Sequence, residues 1–542
     1  MDVSPSRRAL VLGAVAGLVG ANKARAVMTA AAPSFDIDPD APGAKISTLV
    51  FGDNEIGVMD GGLPSAVLDR DAGVAARRLG GDLMTTYNWV VNASNAGKNY
   101  GNANGAFLLE ALQIPRSEWT RPGVVVETMH EASLAMDAKS LVTLPIGRYV
   151  AADLAGAVTE SERAPSARFV ETDWRLGLDA DADVTPGTCN LPQLVARLVA
   201  RYGPAGSARG VFGYALDNEP SLWTQNHPRL APERMKIAEY LERAVAAARA
   251  IKAVDPQAKV FGPSSWGASG MVDFQNAADW SEYSRFGNFL AAYLDAFRLA
   301  SDKAGKRLLD YLDVHWYPYS ARGELFRTDD ANLDQARLDA PRALSEAGFI
   351  ERSWVPRALQ HDASGALTLP ILPALLRLVA KWFPGTEIAI TEFNYGGGAR
   401  LPSALALADA LGRYATNGVG FATHWGSLAG MLVQSYRLFR APDGSGASFG
   451  GRSLSVVANK TEGLSCFAAD DGSRLHIVVL NKTTSSVAVD LVVKNDARRL
   501  VQTLGFDPAR LDLQEIARAS ARSDGAWRAV LPALSARRYV FA

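Results

Sequence analysis

The sequence predicts an α/β fold, a (β/α)8 TIM barrel with an additional β-sandwich domain. Three observations predict it. Short, almost continuous apolar segments recur along the chain, as strands covered on both faces do. Stretches of helical length separate most of them, and eight alternations suit a closed barrel. Beyond about residue 440 the apolar period changes to two, the mark of a sandwich.

In chain order the expected barrel strands are Ile46–Phe51, Asp82–Tyr87, Leu141–Pro145, Val211–Leu216, Lys259–Gly262, Tyr311–His315, Glu387–Thr391 and Gly420–Thr423. The helices expected between them are Arg70–Leu79, Val124–Asp137, Leu191–Arg201, Pro232–Val254, Phe286–Ala304, Ile371–Trp382 and Ser403–Thr416. A doubly wound open sheet shows the same alternation, but no phosphate-binding G-x-G-x-x-G follows any strand. The long stretch Tyr319–Pro370 reads as an insertion over one end of the barrel. "LHIVVLNKTTSSVAVDLVV" alternates around a turn at Asn481–Ser486 and "RRYVFA" closes the chain, as in an antiparallel sandwich, to which "SFDID" (Ser34–Asp38) is a candidate added strand. The resulting domains are 46–437 for the barrel and 33–45 plus 438–542 for the sandwich.

At 542 residues the chain is long enough for a large core and an accessory domain. A formal net charge of -1 offers no broad basic field, so neither nucleic acid nor anionic lipid is an expected partner. Cys189 and Cys466 are too few and too far apart for a disulfide framework and read as ordinary thiols. Arg7 and Arg8 precede a short Gly/Ala-rich apolar run, Ala9 to Ala21, and Ala24-Arg25-Ala26 follows. Residues 1–26 therefore read as a twin-arginine signal peptide, with a periplasmic or secreted mature chain starting near Val27. No later stretch reaches the roughly 18 apolar residues of a span, so stable membrane association is not expected.

In a (β/α)8 barrel the active site lies at the carboxyl ends of the strands. Strand four ends in Asp217, Asn218 and Glu219, strand six in His315, Trp316 and Tyr317, and strand seven in Glu392, Phe393, Asn394 and Tyr395. Strand eight ends in His424 and Trp425, and strand two was expected to deliver Tyr87, Asn88 and Trp89. Two glutamates facing each other across the mouth suit glycoside hydrolysis, where one carboxyl protonates the leaving oxygen and the other attacks or stabilises the anomeric carbon. Glu219 and Glu392 are the catalytic candidates. Asn88, Trp89, Asn218, Trp223, Trp316, Tyr317, Tyr395 and Trp425 are candidates for substrate binding, since flat apolar rings suit the C–H faces of sugars. Trp223, Trp266 and Trp280 read equally well as core. Strand alternation turns Asp217 away as a structural acceptor, and His315 and His424 lack ligand spacing, so no metal is assigned.

"YALDNEPSLWTQNHPR", "LDVHWYP" and "IAITEFNYGGG" resemble signature segments of glycoside hydrolase family 44, which includes endoglucanases and xyloglucanases. "RLGGDLMTTYNWVVNASNAG" and "LFRAPDGSGASFGGRSLSVVA" are similar to its strand-two segment and to its entry into the sandwich. The resemblance implies a retaining endo-acting enzyme on β-1,4-glucan, cellulose-like or xyloglucan, with Glu219 matching the acid/base and Glu392 the nucleophile. It further implies that Asn218 holds a sugar hydroxyl, that Tyr317 lies near the nucleophile, and that no cofactor is required. Some members carry a structural calcium, although no calcium loop stands in this sequence. After Tyr87-Asn88-Trp89 the chain departs from the family pattern, with Val90 and Val91 in place of acidic and amide residues, which bears on substrate preference. The alternatives are a carbohydrate-binding barrel without turnover, or a β-mannanase or xylanase of the same fold.

Overall fold

The computed structural model describes residues 32–41, 43–55, 65–398, 400–440, 448–522 and 525–542, so segment 1–26, expected as a signal peptide, lies outside the described residues. Eight parallel strands alternate with eight helices: β1 (Gly52–Asn54), α1 (Ser65–Ala72), β2 (Ala76–Leu79), α2 (Val124–Leu134), β3 (Lys139–Leu144), α3 (Leu191–Tyr202), β4 (Gly213–Leu216) and α4 (Ile237–Val254). The series continues with β5 (Lys259–Ser265), α5 (Phe289–Ala304), β6 (Tyr311–Trp316), α6 (Ile371–Trp382), β7 (Glu387–Phe393), α7 (Leu401–Thr416), β8 (Val419–His424) and α8 (Leu432–Arg440). Each strand pairs with its neighbours in sequence, and Thr423 and His424 of β8 close the barrel onto Gly52 and Asp53 of β1.

Local chemistry accounts for the helices. Asn190 caps α3 by accepting from the Gln193 amide at 2.8 Å, and Asn288 caps α5 by accepting from Ala291 at 2.8 Å. Along α6, Ile371, Leu372, Leu375, Leu378 and Val379 form one buried stripe at helical spacing. Inside the barrel, Ala76, Ala215 and Ala389 alternate with Leu141, Phe261, Tyr311 and Phe421 in a layer drawn from seven strands. Phe261 and Tyr311 stack with ring centres 4.2 Å apart. Small residues opposite large ones fill the barrel, so it is a packed core beneath the mouth.

Two expected strands are corrected. Ile46–Phe51 does not form β1: Thr48–Val50 is a 3-10 turn capped by Ser47, and the strand begins at Gly52. Asp82–Tyr87 does not form β2: Asp82–Thr85 is a one-turn helix, and β2 falls on Ala76–Leu79, at the end of the expected helix Arg70–Leu79. The paired Arg77 and Arg78 give this strand an amphipathic look. Alternation sends Arg77 outward, where it meets Asp69 of α1 at 2.7 Å and Glu55, and Arg78 inward to the mouth. The other six strands lie within three residues of their expected ends.

The sandwich is built from a five-stranded and a six-stranded sheet. Ser34–Asp38 joins the first, antiparallel to Ser455–Asn459 but parallel to Val487–Val493. Leu475–Asn481 belongs to the six-stranded sheet, so the turn that follows it crosses between sheets rather than closing a hairpin. Residues 441–447, in the segment similar to the family's entry into the sandwich, lie outside the described residues. Cys189 and Cys466 are unpaired thiols, and no described helix is long and apolar enough to cross a membrane.

Barrel and sandwich share one buried cluster, in which Phe467, Val478, Leu480 and Phe506 join residues of α7 and α8. A Cβ on Gly412 of α7 would stand 2.3 Å from the Phe467 ring, so only glycine permits this approach. Beside it, buried Asp409 of α7 binds Arg413 at 2.9 Å and Lys482 of the sandwich. Burial alone would raise the Asp409 carboxyl, but the two cations outweigh it and hold it below the usual range. Asp409→Ala leaves those cations without their anion. It is expected to lower stability by about 3–5 kcal/mol, read as a lower denaturant midpoint. An unchanged midpoint would mean that apolar contact alone secures the junction.

Candidate active site

Just past β4 the backbone turns through left-handed conformations at Asp217 (φ 73°) and Glu219 (φ 43°). Such residues cost about 1–3 kcal/mol each and persist only where their surroundings hold them. Here they are held firmly. Asp217 Oδ2 accepts from the amides of Ile146 at 2.6 Å and Gly147 at 3.1 Å, and Oδ1 accepts from Asn218 at 2.8 Å. The Glu219 amide donates to the Ser264 carbonyl at 3.1 Å, and the Trp223 indole donates to the Asn218 carbonyl at 3.0 Å. Asp217 is thus the structural acceptor expected, its carboxyl pushed up to about 6 by burial, and the turn it supports delivers Glu219 to the cleft.

Along β6, period two places Tyr311, Asp313 and His315 on one face, with Tyr317 just beyond the strand. Between β6 and β7 the register slips, so that Val314 pairs Ile390 while His315 pairs Glu392. The extra residue is Thr391, and this bulge brings both Thr391 and Glu392 to the mouth. Glu392 Oε1 accepts from Arg78 Nη1 at 2.7 Å, and Oε2 accepts from the Tyr317 hydroxyl at 2.7 Å. Arg78 also donates to Asn54 Oδ1 at 3.0 Å and to Asn218 Oδ1 at 2.8 Å. His315 Nδ1 lies 2.8 Å from Glu219 Oε1 and 3.5 Å from Glu392 Oε2. One oxygen of each glutamate and one nitrogen of His315 fall within 4.8 Å of one another.

The two carboxyls have different surroundings. Burial, and then the charge of Glu392, push Glu219 well above the usual carboxylate range. Burial raises Glu392 as well, but Arg78 and the Tyr317 hydroxyl oppose it. A proton shared by the pair therefore rests on Glu219. Burial, helped by the charge of Arg78, drives His315 well below its ordinary value, so its ring is neutral. Burial keeps the Tyr317 phenol protonated, as a donor to Glu392.

Glu219 opens into a cleft of about 880 Å³ lined by Asp82, Asn226, Trp266, Arg327 and Trp354. Edge and face contacts link Tyr317, Phe326, Tyr319, Trp354 and Trp266 into an aromatic wall, Trp266 and Trp354 stacking with centres 5.8 Å apart. The insertion after β6 builds most of this wall. Among the described residues Glu219, His315 and Glu392 are the one group of three His, Cys, Asp or Glu side chains close enough to share an ion. Calcium takes six to eight oxygens. This group offers a ring nitrogen and a carboxylate already bound by a guanidinium, so it does not fit that ion.

The expected residues separate into two sets. Glu219, Glu392, Asn218 and Tyr317 meet at the mouth, and half-buried Trp425 lies at its rim against Gly81, where a Cβ would stand 2.4 Å from the indole. Trp89, Trp223, Trp316 and Tyr395 are instead packed in the apolar core, and Asn88 is fully buried. Trp89 donates to the Asn190 carbonyl at 3.0 Å and Asn88 Oδ1 accepts from the Val90 amide at 3.0 Å, so both shape the loop after β2 from inside. They were expected at the mouth because strand two was placed six residues late. Arg78 and Asn54 are the site residues that sequence reasoning missed. Read as a strand, "AARRL" would have shown its second arginine facing the barrel. His424 Nδ1 lies 3.2 Å from Asp53 Oδ1.

The sequence profile of glycoside hydrolase family 44 matches residues 85–320. The chain is 34% identical over 521 residues to Endoglucanase A of Paenibacillus lautus, covering 94% of this chain and 72% of that protein. It is 36% identical over 430 residues to Beta-mannanase/endoglucanase A of Caldicellulosiruptor saccharolyticus, covering 75% of this chain and 32% of that much longer protein. Among solved structures it superposes on a Paenibacillus polymyxa family 44 xyloglucanase with xyloglucan, at TM-score 0.86 and 34% identity, covering 94% of this chain and 100% of the other. Paired buried carboxylates in an aromatic cleft and near full-length likeness agree, and the chain belongs to glycoside hydrolase family 44.

Proposed function

We propose that the chain is a secreted, retaining endo-β-1,4-glucanase in which Glu219 is the acid/base and Glu392 the nucleophile. The observation that carries this reading is that, of the two glutamates, only Glu392 is bonded by Arg78 and Tyr317, which oppose its rise, so it gives up its proton before Glu219 does. In the first step Glu219 gives its proton to the glycosidic oxygen as Glu392 attacks the anomeric carbon, forming a glycosyl-enzyme. In the second, the Glu219 carboxylate takes a proton from water as that water displaces Glu392. Oxygens within 4.8 Å support direct attack, since an inverting pair stands roughly 6.5–9.5 Å apart to admit water.

The names of the relatives and the aromatic wall support a β-glucan as substrate, cellulose-like or xyloglucan. A β-mannan is the second reading, favoured by the name of the Caldicellulosiruptor relative. Comparing reducing ends released from carboxymethylcellulose, xyloglucan, mannan and xylan decides between them. A binding protein without turnover has no need of a protonated and an ionised glutamate side by side, and release of no ends from any of the four would favour it. No cofactor enters this scheme.

Removing each glutamate tests the roles. Glu219→Ala should cost about 10²–10⁴-fold on glucan yet spare the first step on an aryl glycoside whose phenolate leaves unaided, and azide should then yield the β-glycosyl azide. Glu392→Ala should abolish both reactions and yield at most the α-azide. NMR of wild-type product at early times should show the β anomer; an α anomer would contradict retention, and the reverse mutant pattern would exchange the roles.

Arg78→Ala tests the counter-charge. The nucleophile works only when ionised, so activity rises with pH through the Glu392 pKa, and loss of the cation raises that pKa. The acid limb of kcat/KM should move to higher pH and the maximum should fall by about 10²-fold or more. A limb that stays in place would refute the role of Arg78.

Export through the twin-arginine route is proposed from Arg7 and Arg8. Replacing both with lysine should leave the precursor in the cytoplasm. Undiminished export of that variant would exclude the route.

A further inference from the structure

Behind the reactive pair lies a chain of hydrogen bonds that the two-step scheme does not use. Asp313 of β6 receives three donors: Ser264 Oγ at 2.6 Å, Thr391 Oγ1 at 2.8 Å and the Thr391 amide at 3.2 Å. Asp313, Ser264, Thr391 and His315 are all buried from solvent. Two irregular residues belong to this chain, because Ser264 sits at the register shift between β5 and β6 and Thr391 at that between β6 and β7.

The direction of donation can be followed from one end. An ionised carboxylate only accepts, so the Thr391 hydroxyl spends its proton on Asp313. Its oxygen then faces His315 Nε2, 3.2 Å away, as an acceptor, and Nε2 must carry the ring proton. A neutral imidazole protonated at Nε2 has a bare Nδ1. That bare nitrogen stands 2.8 Å from Glu219 Oε1, and two acceptors at that distance bond only if the carboxyl carries a proton.

We propose that Asp313 and Thr391 are positioning residues that fix His315 in its Nε2–H tautomer and thereby hold a proton on Glu219. Before the first step the Glu219 O–H donates to Nδ1 or to the glycosidic oxygen. Once the proton has gone to the leaving group, the carboxylate faces a lone pair, which favours taking a proton from water in the second step. The imidazole gains and loses nothing overall. Burial lifts the Asp313 carboxyl to about 6, so it is ionised at neutral pH. The other groups facing Glu219 are Arg78 of β2, Asp82 just past that strand, Arg327 and Tyr317 beyond β6, and Glu392 of β7.

This inference rests on Glu219 being the acid/base, and the test separates the two readings. ¹⁵N NMR of the wild-type enzyme, with His315 assigned by comparison with His315→Gln, reads the tautomer whatever the catalytic roles. A proton on Nε2 is expected; one on Nδ1 would overturn the proposal even if Glu219 is the acid. In Thr391→Val the alkaline limb of kcat/KM on glucan, which reports deprotonation of Glu219, should move down by about one pH unit. Asp313→Asn should move it the same way, the acid limb should stay, and the first step on an activated aryl glycoside should fall less than the glucan rate. Thr391→Ser, which keeps the hydroxyl, should restore the limb. Equal losses on both substrates with an unmoved alkaline limb would reduce the relay to a packing role.

Discussion

The guanidinium of Arg78 lies out of water between β1, β4 and β7, and the states of both glutamates follow from where it points. Taking a cation out of water costs several kcal/mol unless its donors are matched; Glu392, Asn54 and Asn218 accept from its two terminal nitrogens, while Nε stays buried without a partner. Asn54 is in turn pinned, donating to the carbonyls of Thr391 at 2.9 Å and His424 at 3.0 Å. Opposite charges 4 Å apart interact by about 4 kcal/mol at an effective dielectric near 20. One pKa unit corresponds to about 1.4 kcal/mol, so a single cation suffices to separate two buried carboxyls by more than one unit. Without it, only the Tyr317 hydroxyl would oppose the rise that burial imposes on Glu392.

Four irregular backbone positions gather around this cation. The left-handed turns at Asp217 and Glu219 and the register shifts at Ser264 and Thr391 all lie at the carboxyl ends of strands. Beneath them the Phe261–Tyr311–Phe421 layer is tightly filled. Regular pairing would present every second residue of β7 to the barrel, and Thr391 and Glu392 could not both reach it. Departure from the ideal strand is the means by which one segment supplies two adjacent functional groups.

How much of this was legible depended on whether a residue's partner lay nearby in sequence. Six strands could be read because their apolar runs are long enough to stand alone, and Glu219 and Glu392 followed from the ends of two of them. β2 could not, because "AARRL" is strand-like only when Asp69, Glu55 and Glu392 neutralise its arginines, and two of those partners lie on β7 and just past β1. The same misplacement made Trp89 and Asn88 look like rim residues, whereas they are held inside the loop that the true β2 begins. The left-handed turn through Asp217 and Glu219 leaves no mark in composition, since it is held by Ile146 just past β3 and by Ser264 of β5. Burial of Trp316 beside accessible Tyr317 was, by contrast, available from simple alternation.

The strand Ser34–Asp38 lies between Ser455–Asn459 and Val487–Val493, so the first element of the sandwich must find partners more than 400 residues away. During synthesis that strand leaves the ribosome before any barrel strand and waits, unpaired on both edges, until the last hundred residues follow. A barrel that folds as it emerges would bring the two ends of the chain together and shorten the search. Sandwich closure thus becomes the late event of biogenesis, and a ribosome that stalls in the final strands leaves an open sheet edge, the surface on which nascent chains aggregate.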